Sequence, residues 1–165
     1  MDKKKVPISN WVKLVFVFVV VVGFALFIRR WYINSTNLEM QIPIVSEVLT
    51  NEVKLAEIYD YINENDPALI YFESSSDSDS RKLEKNLISF FHDNSLEDVV
   101  VYINLSGVDV KKFFDSFKEF YGYNGEIESV PTFIYFEEAK VDKVLTGKVN
   151  KAKVEKFFKE IGLIL

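Results

Sequence analysis

The residues best placed for chemistry are crowded into Ser74-Ser75-Ser76-Asp77-Ser78-Asp79-Ser80-Arg81-Lys82, where hydroxyls and carboxylates alternate. A serine becomes a nucleophile only beside a base that takes its proton, and Asp77 or Asp79 alone is a weak base near neutral pH. Asp77-Ser78-Asp79-Ser80 offers oxygens at alternate positions, as a Ca²⁺ loop does. That loop also needs a central Gly and a distal bidentate Glu, and Ser80-Arg81-Lys82 follows instead. The serine cluster is also open to phosphorylation on composition alone. The plainest use is structural: Asp79 or Ser80 accepts a backbone N–H in the first turn of the helix that follows. The one histidine, His92, comes after Phe90-Phe91 at a helix end and reads as a surface or capping residue. Neither a metal nor a cofactor is expected.

No cysteine occurs in the 165 residues. Disulfides, thiolate metal sites and thiol redox chemistry by this chain alone are thereby excluded. A net charge of −5 gives no basic footprint for nucleic acid. Hydrophobic residues make up 48% of the chain, including fifteen Phe and eight Tyr, enough for one well-filled soluble domain.

The elements that must position the polar loop follow from periodicity. Ala68 to Phe72 is a continuous apolar run too short for an ordinary helix, so a central buried strand leads into the loop. The loop re-enters a helix at Arg81 that carries Leu83, Leu87, Ile88, Phe90 and Phe91. Before the strand, Ile42-Pro43-Ile44-Val45 reads as an edge strand, and Glu52 to Asn65 as a helix ended by Asp66-Pro67. After the loop come a strand at Val99 to Leu105 and a helix at Val108 to Tyr121 with Val110, Phe113, Phe114, Phe117 and Phe120 as its buried stripe. A turn through Gly122 and Tyr123 follows. Val130-Pro131-Thr132 opens the strand Phe133 to Phe136, a hairpin through Glu137 to Lys140 returns as Asp142 to Thr146, and Asn150 caps a last helix through Ile161. The fold class is α/β, a mixed sheet with helices on both faces.

A different kind of segment precedes this domain. Leu14 to Ile28 is uninterrupted by charge, with Trp11 at one end and Trp31-Tyr32 at the other. Those aromatic ends lie roughly 30 Å apart along a helix, the thickness of a bilayer core. Arg29-Arg30-Trp31-Tyr32 stands where a signal peptide would need small residues for cleavage, so the segment is read as a retained anchor. Lys3, Lys4, Lys5 and Lys13 outweigh Arg29 and Arg30, which points the amino terminus into the cytoplasm and the domain outward. The expected organisation is a cytoplasmic segment at 1–10, a transmembrane helix at 11–33, a linker at 34–41 and the folded domain at 42–165.

The order of elements, the Tyr71-Phe72 strand end and the later Gly125-x-x-x-x-Val130-Pro131-Thr132-Phe133 stretch resemble the thioredoxin-like superfamily over roughly 44–163. The likeness is to its membrane-anchored Gram-positive members, among them bacteriocin transport accessory proteins. In those proteins Cys-x-x-Cys-Arg-Lys starts five residues after the Phe. Counting from Phe72 sets Asp77 and Ser80 at the cysteine positions, followed by Arg81-Lys82 as the pattern asks. The resemblance also implies a cis bond at Val130–Pro131. It implies, further, a peptide-binding groove formed by Ser76, Asp77, Ser78 and Asp79 with Val130, Pro131, Thr132 and the Tyr121–Tyr123 turn.

Together these readings lead to a non-catalytic, single-pass membrane protein that binds other membrane or envelope proteins, as an accessory or structural subunit of a membrane complex, with export of bacteriocins or other proteins as the setting that the resemblance implies. Two alternatives stay open: a redox or chaperone helper working through a cysteine-bearing partner, and a metal-responsive sensor through Asp77 and Asp79.

Overall fold

The structure, a computed structural model, describes residues 8–39 and 42–165. The chain divides into two compact units, 1–39 and 40–165. In the first, helix α1 runs over Ile8–Glu39. Its stretch Asn10–Tyr32 contains an 18-residue window of mean hydropathy 2.7 and is long and apolar enough to cross a membrane. The helix continues to Glu39, across residues that the sequence reads as a tether. Most of the expected cytoplasmic segment, and the last two tether positions, lie outside the described residues.

The second unit is built on a four-stranded sheet of β1 (Ala68–Glu73), β2 (Val100–Asn104), β3 (Thr132–Glu137) and β4 (Lys140–Leu145), in the order β2-β1-β3-β4. Strands β1 and β2 are parallel; β3 lies antiparallel to β1, and β4 antiparallel to β3. Helices α2 (Ile58–Glu64), α3 (Ser78–Asp93), α4 (Val110–Tyr121) and α5 (Lys151–Glu160) cover it. Alternation along β1 explains the two cores, since successive side chains of a strand point to opposite faces. Leu69 and Tyr71 pack with Leu83, Leu87, Phe91 and Phe158 of α3 and α5. Ile70 and Phe72 pack with Ile58, Ile62, Phe114 and Phe117 of α2 and α4. Every residue of β1 is buried, as the unbroken apolar run Ala68–Phe72 requires of an interior strand, and the burial extends to Glu73 at its end.

Three expectations are corrected. The edge strand at 42–45 does not form; Ile44–Glu47 is a 3₁₀ turn. Pro43 has no N–H for a ladder, and the N–H groups of Ile44 and Val45 are both taken by the Glu84 carboxylate. The outer side of β2 is met instead by a single parallel bridge from Glu52 to Tyr102. The helix expected from Glu52 begins later, as a short 3₁₀ turn at Leu55–Glu57 that runs into α2. Phe120, assigned to the buried stripe of α4, is 64% exposed. It packs at a tilt against Tyr59, with ring centroids 4.3 Å apart, rather than entering the core. Phe114 and Phe117 of the same helix face the sheet and are fully buried.

Candidate functional site

The end of β1, the serine loop and the start of α3 form one hydrogen-bonded platform. The helix begins at Ser78, three residues before the predicted Arg81, and its cap is Asp77, not Asp79 or Ser80. Asp77 has an extended backbone, and its Oδ1 accepts from the N–H of Asp79 (3.0 Å) and Ser80 (2.7 Å). Two of the amides left open at a helix start are thereby satisfied. Asp79 lies in the first turn, with Lys82 Nζ 3.4 Å from its carboxylate. Ser80 is fully buried, and its Oγ has no hydrogen-bond partner. Among the described residues no group of three or more His, Asp and Glu could hold a metal ion.

The serines before Asp77 are held by the loop that follows β2. Asn104 Nδ2 donates to Ser75 Oγ (2.9 Å), and the Ser75 N–H donates to Ser106 Oγ (2.9 Å). The Ser74 hydroxyl meets those of Ser76 (2.9 Å) and Ser106 (3.3 Å). Asn104 Oδ1 in turn accepts from the Ser106 N–H at 2.8 Å. Ser74 and Ser75 are buried, as is Ser80, so the serine cluster is partly interior. The Asn104-Leu105-Ser106 triplet, which also fits a glycosylation pattern, is spent on this network.

The Val130–Pro131 bond is cis. Its loop faces the Asp77–Asp79 turn across a cleft of about 640 Å³, which Lys82, Asn86, Lys148 and Lys151 also line. A smaller hollow of about 330 Å³, lined by Ser74, Ser76, Val110 and Glu128, shares Asp77 and Val130 with the cleft. Asp77, Asp79, Val130 and Pro131 therefore line the cleft and Ser76 the hollow beside it, while Ser78 opens the helix between Asp77 and Asp79. Thr132 belongs beneath the cleft: it is fully buried, and its Oγ1 bonds the Ser129 carbonyl and the Thr146 hydroxyl, each at 2.7 Å.

Tyr121 and Tyr123 do not join this group. Val110, at the start of α4, lines the smaller hollow, and the helix carries the chain about 16 Å from there to Tyr121, its last residue. The Tyr121 ring packs on Phe136 with centroids 5.4 Å apart, and Phe136 pairs with Ala68 at the opposite end of β1 from the serine loop. Gly122, in the left-handed conformation that glycine adopts freely, ends α4 there, and Tyr123 follows at once. Burial and the neighbouring Tyr59 push the Tyr121 hydroxyl up to about 12.

Sequence reasoning missed two buried carboxyls under the platform. Glu73 ends β1 and Glu84 lies in α3; both are fully buried. Glu84 Oε2 accepts from the N–H of Ile44 (2.8 Å) and Val45 (3.2 Å), and Oε1 from the Tyr71 hydroxyl (3.3 Å). Neither carboxyl oxygen of Glu73 meets a donor, and its polar neighbour is the Glu84 carboxyl, to which a protonated Glu73 donates. A buried charge without donors is costly, so Glu73 holds a proton. Burial first, and the adjacent Glu84 second, push its carboxyl up to about 9, and Arg81 offsets only part of this. Burial also raises Glu84, but its backbone donors pull the other way. The same pair, after burial itself, drives the Tyr71 hydroxyl well above its ordinary range. A signal did exist: Glu84 falls between Ser80, Leu83 and Leu87 on the helical spacing of the buried stripe.

No protein-family model matches the chain, and no curated protein matches it. Among solved structures it is similar to thioredoxin f2 of Chlamydomonas reinhardtii, with a TM-score of 0.51 and 11% identity over 70% of this chain and 98% of that one. It is also similar to mitochondrial thioredoxin 3 of Saccharomyces cerevisiae, with a TM-score of 0.47 and 14% identity over 71% and 98% of the two chains. At such identities the likeness is one of fold. The domain has the thioredoxin-like fold, a mixed sheet between helices, following an apolar helix.

Proposed function

We propose that this is a membrane-anchored, thiol-free thioredoxin-fold protein that binds an extended segment of another membrane or envelope protein in the cleft between Val130-Pro131 and the Asp77–Asp79 turn. The observation that carries the reading is the cleft itself: it is open and about 640 Å³, while Asp77 and Ser80 stand where the resemblance asks for cysteines. Thiol–disulfide exchange requires a thiolate to attack a disulfide sulfur, and the chain has no cysteine. A cleft without that chemistry retains its shape and a lining of mixed charge, Asp77 and Asp79 with Lys82, Lys148 and Lys151, which suit an extended peptide. The protein is then an accessory or structural subunit of a membrane complex, and by resemblance its setting is export across a Gram-positive envelope. The lysines ahead of α1 favour the outer side for the domain.

The test is affinity capture of the full-length protein from native membranes, beside Val130→Glu and Asn86→Arg variants that crowd the cleft. A specific partner retained by the native chain and lost from both variants supports the reading. A partner retained equally by all three refutes the cleft as its binding site. Orientation is tested separately with single cysteines introduced at Lys111 and Lys156, both on helices of the domain. A cysteine-free chain gives no background, and labelling of intact cells by an impermeant maleimide is the expected result.

A further inference from the structure

The buried carboxyl pair has no part in the cleft and joins two elements that differ in how firmly they are held. Glu73 belongs to β1, which is pinned between β2 and β3. Glu84 grips the 3₁₀ turn Ile44–Glu47, a single turn with no side-chain cap. In sequence, that turn comes soon after the apolar helix. The groups facing the pair are these: Tyr71 from β1; Arg81 and Asp77 from the start of α3; Tyr102 from β2; and Glu52, whose carboxylate accepts from the Tyr102 hydroxyl at 3.3 Å. From α5 and β3 this core receives Val154, Phe157, Phe158 and Phe133, all apolar. Three glutamate carboxyls therefore meet one guanidinium, around an interior in which Glu73 has no exposed surface.

We propose that Glu73 and Glu84 form a proton-held latch on the start of the domain: while Glu73 carries a proton, Glu84 fastens Ile44 and Val45 to α3, and loss of that proton releases the turn. Two adjacent anions in a buried site repel strongly. The repulsion is relieved at the element that moves most cheaply. An interior strand bonded on both sides is not that element; a single 3₁₀ turn is, joined to α3 by the Ile44 and Val45 N–H groups and by Arg81 Nη1 donating to the Ile42 carbonyl, with Val45 as its one buried side chain. Release of residues 42–47 frees a strip of chain up to about 20 Å long when extended, which lengthens the connection between the apolar helix and the domain as pH rises.

The test is NMR on the full-length protein in detergent micelles, with ¹³C-carboxyl glutamate, from pH 5 to 10. The Glu73 carboxyl carbon is expected to titrate well above the ordinary carboxylate range. Through that same titration the amides of Ile44 and Val45 are expected to lose about tenfold or more of their exchange protection relative to intrinsic rates, while Ile70 and Tyr102 keep theirs. In Glu73→Gln, with Glu73→Met as a second neutral variant, Ile44 and Val45 hold constant protection across the range. Glu73 ionising in the ordinary range, or the native chain matching the neutral variants at Ile44 and Val45, overturns the latch.

Discussion

Replacing Asp77 by alanine tests the reassignment of this residue from a vacant cysteine position to the cap of α3. Its Oδ1 accepts two backbone N–H groups, at 3.0 and 2.7 Å. Loss of a side-chain cap costs about 1 kcal/mol, within a range of roughly 0.5–2. Loss of a negative charge beside a helix start adds about 0.3–1 kcal/mol at low ionic strength. Asp77→Ala is therefore expected to destabilise the domain by about 1.5 kcal/mol. Asp77→Asn keeps an acceptor oxygen and loses only the charge, so about 0.5 kcal/mol is expected. The measurement is urea unfolding of the full-length protein in micelles, followed by near-ultraviolet circular dichroism, at low and high salt. Salt should shrink the gap between the native chain and the Asp77→Asn variant, and leave the gap between the Asp77→Asn and Asp77→Ala variants in place. Amide exchange at Asp79 and Ser80 supplies the local readout, and it should rise in the alanine variant. Equal stabilities for the alanine and asparagine variants, with unchanged protection at Asp79 and Ser80, would refute the capping argument.

The interior yields three further expectations. Ser80 Oγ is buried without a partner, and removing an orphaned hydroxyl relieves a desolvation cost, so Ser80→Ala should be neutral or stabilising by about 1 kcal/mol in the same unfolding assay. Phe117 is fully buried among Phe72, Phe113 and Phe114, and Phe117→Ala should cost about 3–5 kcal/mol. Phe120→Ala, one turn on but exposed and in ring contact with Tyr59 and Tyr121 at tilted and edge-on angles, should cost about 1 kcal/mol or less. Glu73 binds its proton more tightly in the folded chain, so its unfolded form ionises first as pH rises. Stability should therefore fall from about pH 5 upward, by about 1.4 kcal/mol per pH unit from this group, and level off above its folded value of about 9. By pH 7 the accumulated loss is about 3 kcal/mol, and Glu73→Gln should flatten the slope by one proton's worth in unfolding curves taken at pH 5, 7 and 9.

Much of this protein is set down in local pattern. The apolar run of α1, the continuous strand at Ala68–Phe72, the caps at Asn150 and Gly122 and the helical stripes of α3 and α4 depend on spacing within a few residues, and spacing is what a sequence displays. The absence of cysteine is equally local, and it alone removes thiol chemistry. Other features depend on partners distant in the chain. Ile42-Pro43-Ile44-Val45 has the composition of an edge strand, but Glu84, some forty residues later, claims the N–H groups of Ile44 and Val45 and holds them in a 3₁₀ turn. Asp77, Asp79 and Ser80 are equivalent as capping residues on paper; in the fold α3 starts at Ser78, which leaves Asp77 extended with its Oδ1 on the N–H groups of Asp79 and Ser80. Tyr121 was removed from the cleft by the length and direction of α4, a rigid rod whose far end cannot return to the start. Glu73 is an ordinary polar residue after an apolar run until Tyr71, Glu84 and the helices close over it. Its proton belongs to that enclosure: a carboxyl's charge is settled by the donors and the water around it, and folding removed both.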